Sequence, residues 1–335
     1  MAFLSREIGI DLGTLFTRVA EGNQILIQEP TIVAILVEEL KMVEWGQAAK
    51  DMFGRVPESI EVVRPLQNSV IAEFEITENL LKDILQRVSG PMRVFKPGVM
   101  ITVPYGVTSV ELRAVHEACL GAGAREVALI WQPLAAAIGI DLPINTPSGN
   151  MIISMGGGST QAAVLAMNGI VSAETLRGGG LRLDESIIAY LRKKYGLIIA
   201  QPTAEQLKIK IGSAIAISSQ PSMEIQGQDQ VTGLPRSLEV KNDDIVEALE
   251  DPLKEITLSI KRVLEKTPPE LLSDIIDRGV ALCGGGAMLR GIDKHLTKSL
   301  GIPAYLVDNP LTCTVEGAAK SLGMYEQIKR NLPPV

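Results

Sequence analysis

Residues 151–164 read MIISMGGGSTQAAV. An apolar run enters a triple-glycine turn and a second apolar run leaves it, which is the pattern of a β-hairpin with a bare backbone tip. Such a tip can point its N–H groups at an anion, because no side chain keeps a phosphate away. The entering strand ends in Ser154, where a phosphate loop often carries an acid for the metal.

The same unit stands near the start of the chain. Residues 8–25, IGIDLGTLFTRVAEGNQI, and residues 151–170, MIISMGGGSTQAAVLAMNGI, both give apolar strand, glycine turn, small hydroxyl, apolar strand, a turn (Gly22-Asn23 in the first, Asn168-Gly169 in the second) and strand. A third glycine loop, GGGA at 284–287, stands between a strand and a helix. Two related halves facing each other would set two glycine hairpins across a cleft, with Thr14 and Ser159 beside them. Strand-like and helix-like segments alternate throughout, which makes the chain α/β. Thr108 and Glu111 form a capping box at the head of one helix. Thr203 and Gln206 suggest another, and Gly90 closes the helix of ITENLLKDILQRVSG, residues 76–90. Residues 245, 249, 253, 256, 260 and 264 mark one apolar helical face, which Pro252 is expected to restart or kink.

The 335 residues suffice for two domains, and 46% hydrophobic residues can fill two cores. A net charge of −7 with no basic tract argues against nucleic-acid binding. Cys119, Cys283 and Cys313 are scattered, as expected of reduced core thiols in a cytosolic protein. His116 and His295 are the only histidines, which excludes a histidine-built metal centre. No stretch has the roughly 20 apolar residues of a membrane span. The N-terminus runs into a strand at once, leaving no room for a signal peptide, although MAFL is apolar for an exposed end.

These stretches resemble the actin superfamily, and within it the MreB-type bacterial actins, over nearly the full length. The resemblance is carried by IGIDLGT, EPTIVAI, RPLQNSVIAEFE, VFKPGVMITVPYGVTSVELRAV, GAREVALIWQPLAAAIG, SGNMIISMGGGSTQAAV, TAEQLKIKIGSA, TPPELLSDIIDRGVALCGGGAMLRGID and DNPLTC. It implies an actin-like two-domain fold, with duplicated mixed-sheet cores and four subdomains around a nucleotide cleft. On that pattern 1–31, 65–147 and 315–335 form subdomain IA, and 32–64 form IB. Residues 148–182 and 243–314 form IIA, and 183–242 form IIB.

The resemblance further implies ATP or ADP with Mg2+ in the cleft and assembly of the chain with itself into paired protofilaments. It places the protein in the cytoplasm, peripheral on the inner membrane, organising wall synthesis and cell shape. Other MreB-type paralogues and wall-synthesis membrane proteins would be its partners. Residue by residue, Asp11 would hold the metal through water, and Gln132 would position the attacking water. Gly13, Thr14 and Leu15 would line the first phosphate loop, and Gly156, Gly157, Gly158, Ser159 and Thr160 the second. Glu205 and Lys208 would touch ribose and base. Gly284, Gly285, Gly286 and Ala287 would pass beneath the nucleoside. Phe3, Leu4, Val94 and Phe95 would meet the membrane, with Arg93 and Lys96 suiting an anionic leaflet.

Three positions depart from the pattern. Ser154 replaces an aspartate, Gln161 replaces a glutamate, and Gln132 stands where bacterial members commonly have glutamate. Neither serine nor glutamine is a good general base, so ATP would bind but turn over slowly or not at all. Glu73 is the one replacement carboxylate in view. Two other functions fit the fold. One is a nucleotide-locked regulator that co-assembles with an active relative; the other is a small-molecule kinase, for which no substrate motif is evident. A heat-shock-type chaperone would need a substrate-binding domain beyond Val335.

Overall fold

A computed structural model describes residues 6–89 and 96–334. The first half opens with β1 (Glu7–Leu12), β2 (Phe16–Glu21) and β3 (Gln24–Pro30), followed by β4 (Val33–Leu36), β5 (Lys41–Trp45), α1 (Gln47–Met52) and β6 (Ile60–Val63). A two-residue hairpin follows, β7 (Leu66–Gln67) and β8 (Val70–Ile71), and then α2 (Phe74–Ser89), β9 (Gly98–Val103), α3 (Ser109–Gly121), β10 (Glu126–Trp131) and α4 (Gln132–Gly139). The second half runs β11 (Asn150–Met155), β12 (Thr160–Ala166), β13 (Gly169–Leu176), α5 (Gly180–Tyr195), β14 (Leu197–Ile198) and α6 (Gln201–Lys210). It ends with β15 (Ser222–Asp229), β16 (Pro235–Lys241), α7 (Asn242–Glu265), α8 (Pro269–Arg278), β17 (Val280–Cys283), α9 (Ile292–Leu300), β18 (Ala304–Leu306) and α10 (Cys313–Gly323).

The duplication seen in the sequence is a duplication of sheets. The first sheet has the order β10-β9-β1-β2-β3, and the second mirrors it as β18-β17-β11-β12-β13. In each, the glycine hairpin is antiparallel and the next strand adds in parallel, β9 beside β1 and β17 beside β11. Parallel strands covered on both faces read as continuous apolar runs; GVMITV in β9 and VALC in β17 are buried at every position. Two smaller sheets, β5-β4-β6 and β14-β15-β16, are inserted into the two halves.

One apolar cluster joins the halves. It contains Met100 and Ile130 of the first sheet, Ile152, Ala163 and Ala281 of the second, and Leu134, Ala135, Ala137, Cys313 and Ala318 of α4 and α10. The two helices meet backbone to backbone. A Cβ on Gly317 would lie 1.7 Å from the Ala135 carbonyl oxygen, and one on Gly139 would lie 1.8 Å from that of Cys313. Only glycine fits at such a separation.

The Thr108 capping box forms: Glu111 N–H donates to Thr108 Oγ1 at 3.2 Å, and Thr108 N–H donates to Glu111 Oε2 at 2.7 Å. Three local expectations are corrected. Thr203 does not cap α6, which starts at Gln201 with Pro202 in its first turn, where the fixed φ of proline suits a helix start. Pro252 neither ends nor restarts α7, a single helix of 24 residues, because burial of Leu249, Leu253 and Ile256 on one face outweighs the lost hydrogen bond. The turn after β12 sits at Met167 and Asn168, with φ of 50° and 61°, one residue earlier than an Asn-Gly turn would place it. Gly90 lies outside the described residues.

The α4–α10 contact yields a paired prediction. Gly317→Ala forces the helices apart and will destabilise the protein by about 3 kcal/mol or more, at the upper end of overpacking. Gly323→Ala, on the same helix in open space, will change stability by less than about 1 kcal/mol. Denaturant unfolding of both variants beside the parent reads the difference.

Candidate functional site

The two hairpins converge. Gly13, Thr14 and Leu15, from the turn after β1, face Gly156, Gly157 and Ser159, from the turn after β11, across a cavity of about 540 Å³. Their approach explains the glycines of the second hairpin. A Cβ on Gly158 would lie 2.2 Å from Thr14 Oγ1, and one on Gly157 would lie 2.4 Å from Leu15 Cγ. Gly284, Gly285 and Gly286 line another wall, and Glu205 and Lys208 of α6 face the cavity from the second half. Asp11, Gln132 and Ser154 also line it.

Three expected residues do not line the cavity. Gly158 is turned into the contact with Thr14. Thr160 is buried and donates its hydroxyl to the Gly178 carbonyl at 3.0 Å. Ala287 is buried behind the third loop. Glu73 lies outside the lining as well, so no replacement carboxylate enters from that loop. Phe3, Leu4, Val94 and Phe95 lie outside the described residues.

Several lining residues escaped the sequence reading, Arg290 among them, and two of these carry interactions within the site. Ser69 sits on the β7–β8 turn, where Asn68 and Ser69 take φ of 49° and 67°. Its N–H donates to Thr14 Oγ1 at 2.8 Å, and its hydroxyl shares a hydrogen bond of 2.9 Å with Ser159. One residue thus bridges both hairpins. The second is Arg18, which lies opposite Asp11 in the β1–β2 register. Residues opposite each other on antiparallel strands share a face, so counting back from the Gly13 turn would have found it.

Asp11 is buried. Its Oδ1 accepts from Thr102 Oγ1 at 2.7 Å and weakly from Gln132 Nε2 at 3.4 Å, and its Oδ2 lies 4.0 Å from Arg18 Nη1. Burial pushes its carboxyl above the ordinary range; Arg18, Thr102 and Gln132 pull back. Burial likewise lowers Arg18, with Asp11 opposing it. The two glutamines are committed to each other. Gln161 Nε2 donates to Gln132 Oε1, while Gln161 Oε1 accepts from the Tyr105 N–H at 2.9 Å. A chain of amides therefore runs from Asp11 to Tyr105, and the Gln132 carbonyl oxygen already accepts one hydrogen bond.

Lys208 lines the cavity, but its ammonium stands 2.7 Å from Asp184 Oδ1 and donates to the Gly180 carbonyl at 2.9 Å. Asp184 is fully buried and its pKa is raised, chiefly by burial, against the pull of Lys208. The residues suit a divalent metal poorly. Asp11 faces a guanidinium 4.0 Å away, and Ser154 and Gln161 are neutral. No helix among the described residues is long and apolar enough to cross a membrane.

Two duplicated sheets that share a helical floor and present paired glycine hairpins to one cleft define an actin-like protein. The family described as MreB/Mbl protein matches residues 5–330, and the chain belongs to it. The cell shape-determining protein MreB of Pasteurella multocida is 44% identical over 331 residues, covering 96% of this chain and 94% of that one. The crystal structure of MreB5 of Spiroplasma citri bound to ADP superposes with a TM-score of 0.91 at 33% identity, covering 98% of this chain and 99% of the other. The MamK double helical filament, at 20% identity and a TM-score of 0.80, shares the fold.

The Lys208–Asp184 pair is testable. Lys208→Met leaves a buried carboxylate without its partner and will cost about 3–5 kcal/mol near neutral pH. Because the pKa of Asp184 in the folded protein is raised, its ionisation opposes folding as pH rises through that value. The loss will therefore shrink as pH falls through that raised value and level off below the ordinary 3.8, where Asp184 is protonated in both states. Melting curves against pH read this, and adding Asp184→Asn to Lys208→Met should recover most of the loss.

Proposed function

We propose that the cleft binds ATP or ADP and that the chain assembles into actin-like filaments. The observation that carries this is the convergence of two glycine hairpins, with Thr14 and Ser159 tied through Ser69, on one cavity of about 540 Å³. Backbone N–H groups in such turns suit phosphates. The ADP in the Spiroplasma citri relative supports the ligand class. The filament of the MamK neighbour shows that this fold can polymerise, and assembly here would be of the chain with itself in paired protofilaments.

Within this reading the fold divides into four subdomains, the inserted sheets β4–β6 and β14–β16 forming the outer pair. The filament lies on the cytoplasmic face of the inner membrane through Phe3, Leu4, Val94 and Phe95, where repetition along the polymer multiplies weak contacts. There it organises cell shape and wall synthesis, as the name of the Pasteurella multocida relative suggests. Paralogues of the same family and wall-synthesis membrane proteins are its partners. An alternative within the same fold is a nucleotide-locked regulator of an active relative.

Turnover is slow or absent. Ser154 is a poor base, and the Gln161 amide competes for the Gln132 oxygen that would orient a water. A glutamate at 161 has no proton to give, so Gln161→Glu would release that oxygen.

Sedimentation with ATP and magnesium, followed by identification of the nucleotide in the pellet, tests the reading. A pellet holding ATP is expected; no pellet with or without anionic liposomes would defeat autonomous assembly. Ser154→Asp combined with Gln161→Glu will raise single-turnover hydrolysis by roughly 10²-fold, the low end of what restored acid–base chemistry supplies.

A further inference from the structure

We propose that Arg18 is a built-in cation of the phosphate site, and that nucleotide binding here depends little on a divalent metal. This rests on the nucleotide reading above and concerns how that same cleft neutralises its ligand. The register of β1 and β2 puts the guanidinium beside Asp11, at the floor of the cavity. Its side chain is only 10% exposed, and its Nε has no hydrogen-bond partner. Its Cζ lies over the Phe16 ring, 5.2 Å from the centroid, a cation–π contact that uses none of its donors. Asp11 Oδ2, at 4.0 Å, is too far for a strong hydrogen bond.

A buried guanidinium stays charged and carries five donors in a rigid fork. Here most of those donors are unspent and the group borders an open cavity. A multi-oxygen anion between the glycine hairpins is the ligand that satisfies them. Lys208 does not compete for this role, since its ammonium is committed to Asp184 and the Gly180 carbonyl.

The acids point the same way. Magnesium is usually held by one or two carboxylates together with substrate phosphates and water. The carboxylates lining this cavity are Asp11 and Glu205, and Asp11 already faces Arg18. Ser154, where the resemblance leads one to expect an aspartate, brings no charge. The site has exchanged an acid for neutrality and holds a permanent cation nearby. The charge that a metal would bring to the phosphates is supplied by the chain.

The test is calorimetric titration of the purified full chain with ATP, in magnesium buffer and in EDTA. The parent protein should bind ATP in EDTA within about threefold of its affinity in magnesium, a difference of less than 1 kcal/mol. Arg18→Leu should lose at least about tenfold in EDTA, the scale of one charge-assisted hydrogen bond, and less in magnesium. Arg18→Lys keeps the charge but not the fork and should fall between them, which guards against a leucine variant that folds poorly. If EDTA weakens the parent by about a hundredfold or more, or if Arg18→Leu and the parent respond identically, the inference is wrong while the nucleotide reading stands. If the parent binds no ATP in either buffer, the nucleotide reading itself falls, and this inference with it.

Discussion

The cleft depends on the backbone contact between α4 and α10. Gly139 and Gly317 let those helices touch without side chains between them. That proximity lets a single apolar cluster reach from Met100 and Ile130 in one sheet to Ile152 and Ala281 in the other. The two sheets are thereby set at a fixed separation, which decides whether the glycine hairpins meet. At this separation Thr14 Oγ1 sits where a Cβ of Gly158 would be. The tips bring backbone within reach of each other, and the room beside them is the cavity. Packing several residues from the cavity thus sets its width.

On the proposed reading, charge in the cleft suits holding an anion more than cutting one. Binding a phosphate needs oriented N–H groups and net positive potential, which the hairpin tips and Arg18 can supply. Cleaving one needs a water placed in line and a group to take its proton, or a well-formed electrostatic frame around the transferring phosphoryl. Here the groups nearest the entering strand are Ser154 and two glutamines bonded to each other. The two tasks draw on different atoms, so a chain can keep one while losing the other.

Much of the architecture was legible because it rests on local chemistry. Glycine runs between apolar strands announced both hairpins, and their repetition announced two related sheets. Thr108 and Glu111 signalled a helix start through side chains that bond their own backbone. What failed locally did so for tertiary reasons: Pro252 looked like a break because a proline removes a hydrogen bond, but the apolar face around it keeps the helix continuous. Ser69 was invisible because its importance comes from two hydroxyls that the chain supplies 55 and 90 residues away. Arg18 read as one polar residue in a strand, since only the pairing register turns it toward Asp11.

Arg18 also changes what the departure at Ser154 means. Taken alone, the loss of an acid looks like damage to a metal site. Beside a buried guanidinium it looks like compensation, because a carboxylate at 154 would add a second negative charge to a cleft that must admit a polyphosphate. Burial already penalises the charged form of Asp11, a penalty eased by Arg18 and Thr102. A second acid without a metal would raise that burden, and a metal beside Arg18 would face a fixed positive charge. The neutral serine and the resident cation are therefore mutually consistent. Each makes the other tolerable, and together they describe a cleft whose electrostatics are settled by the chain before any ion arrives.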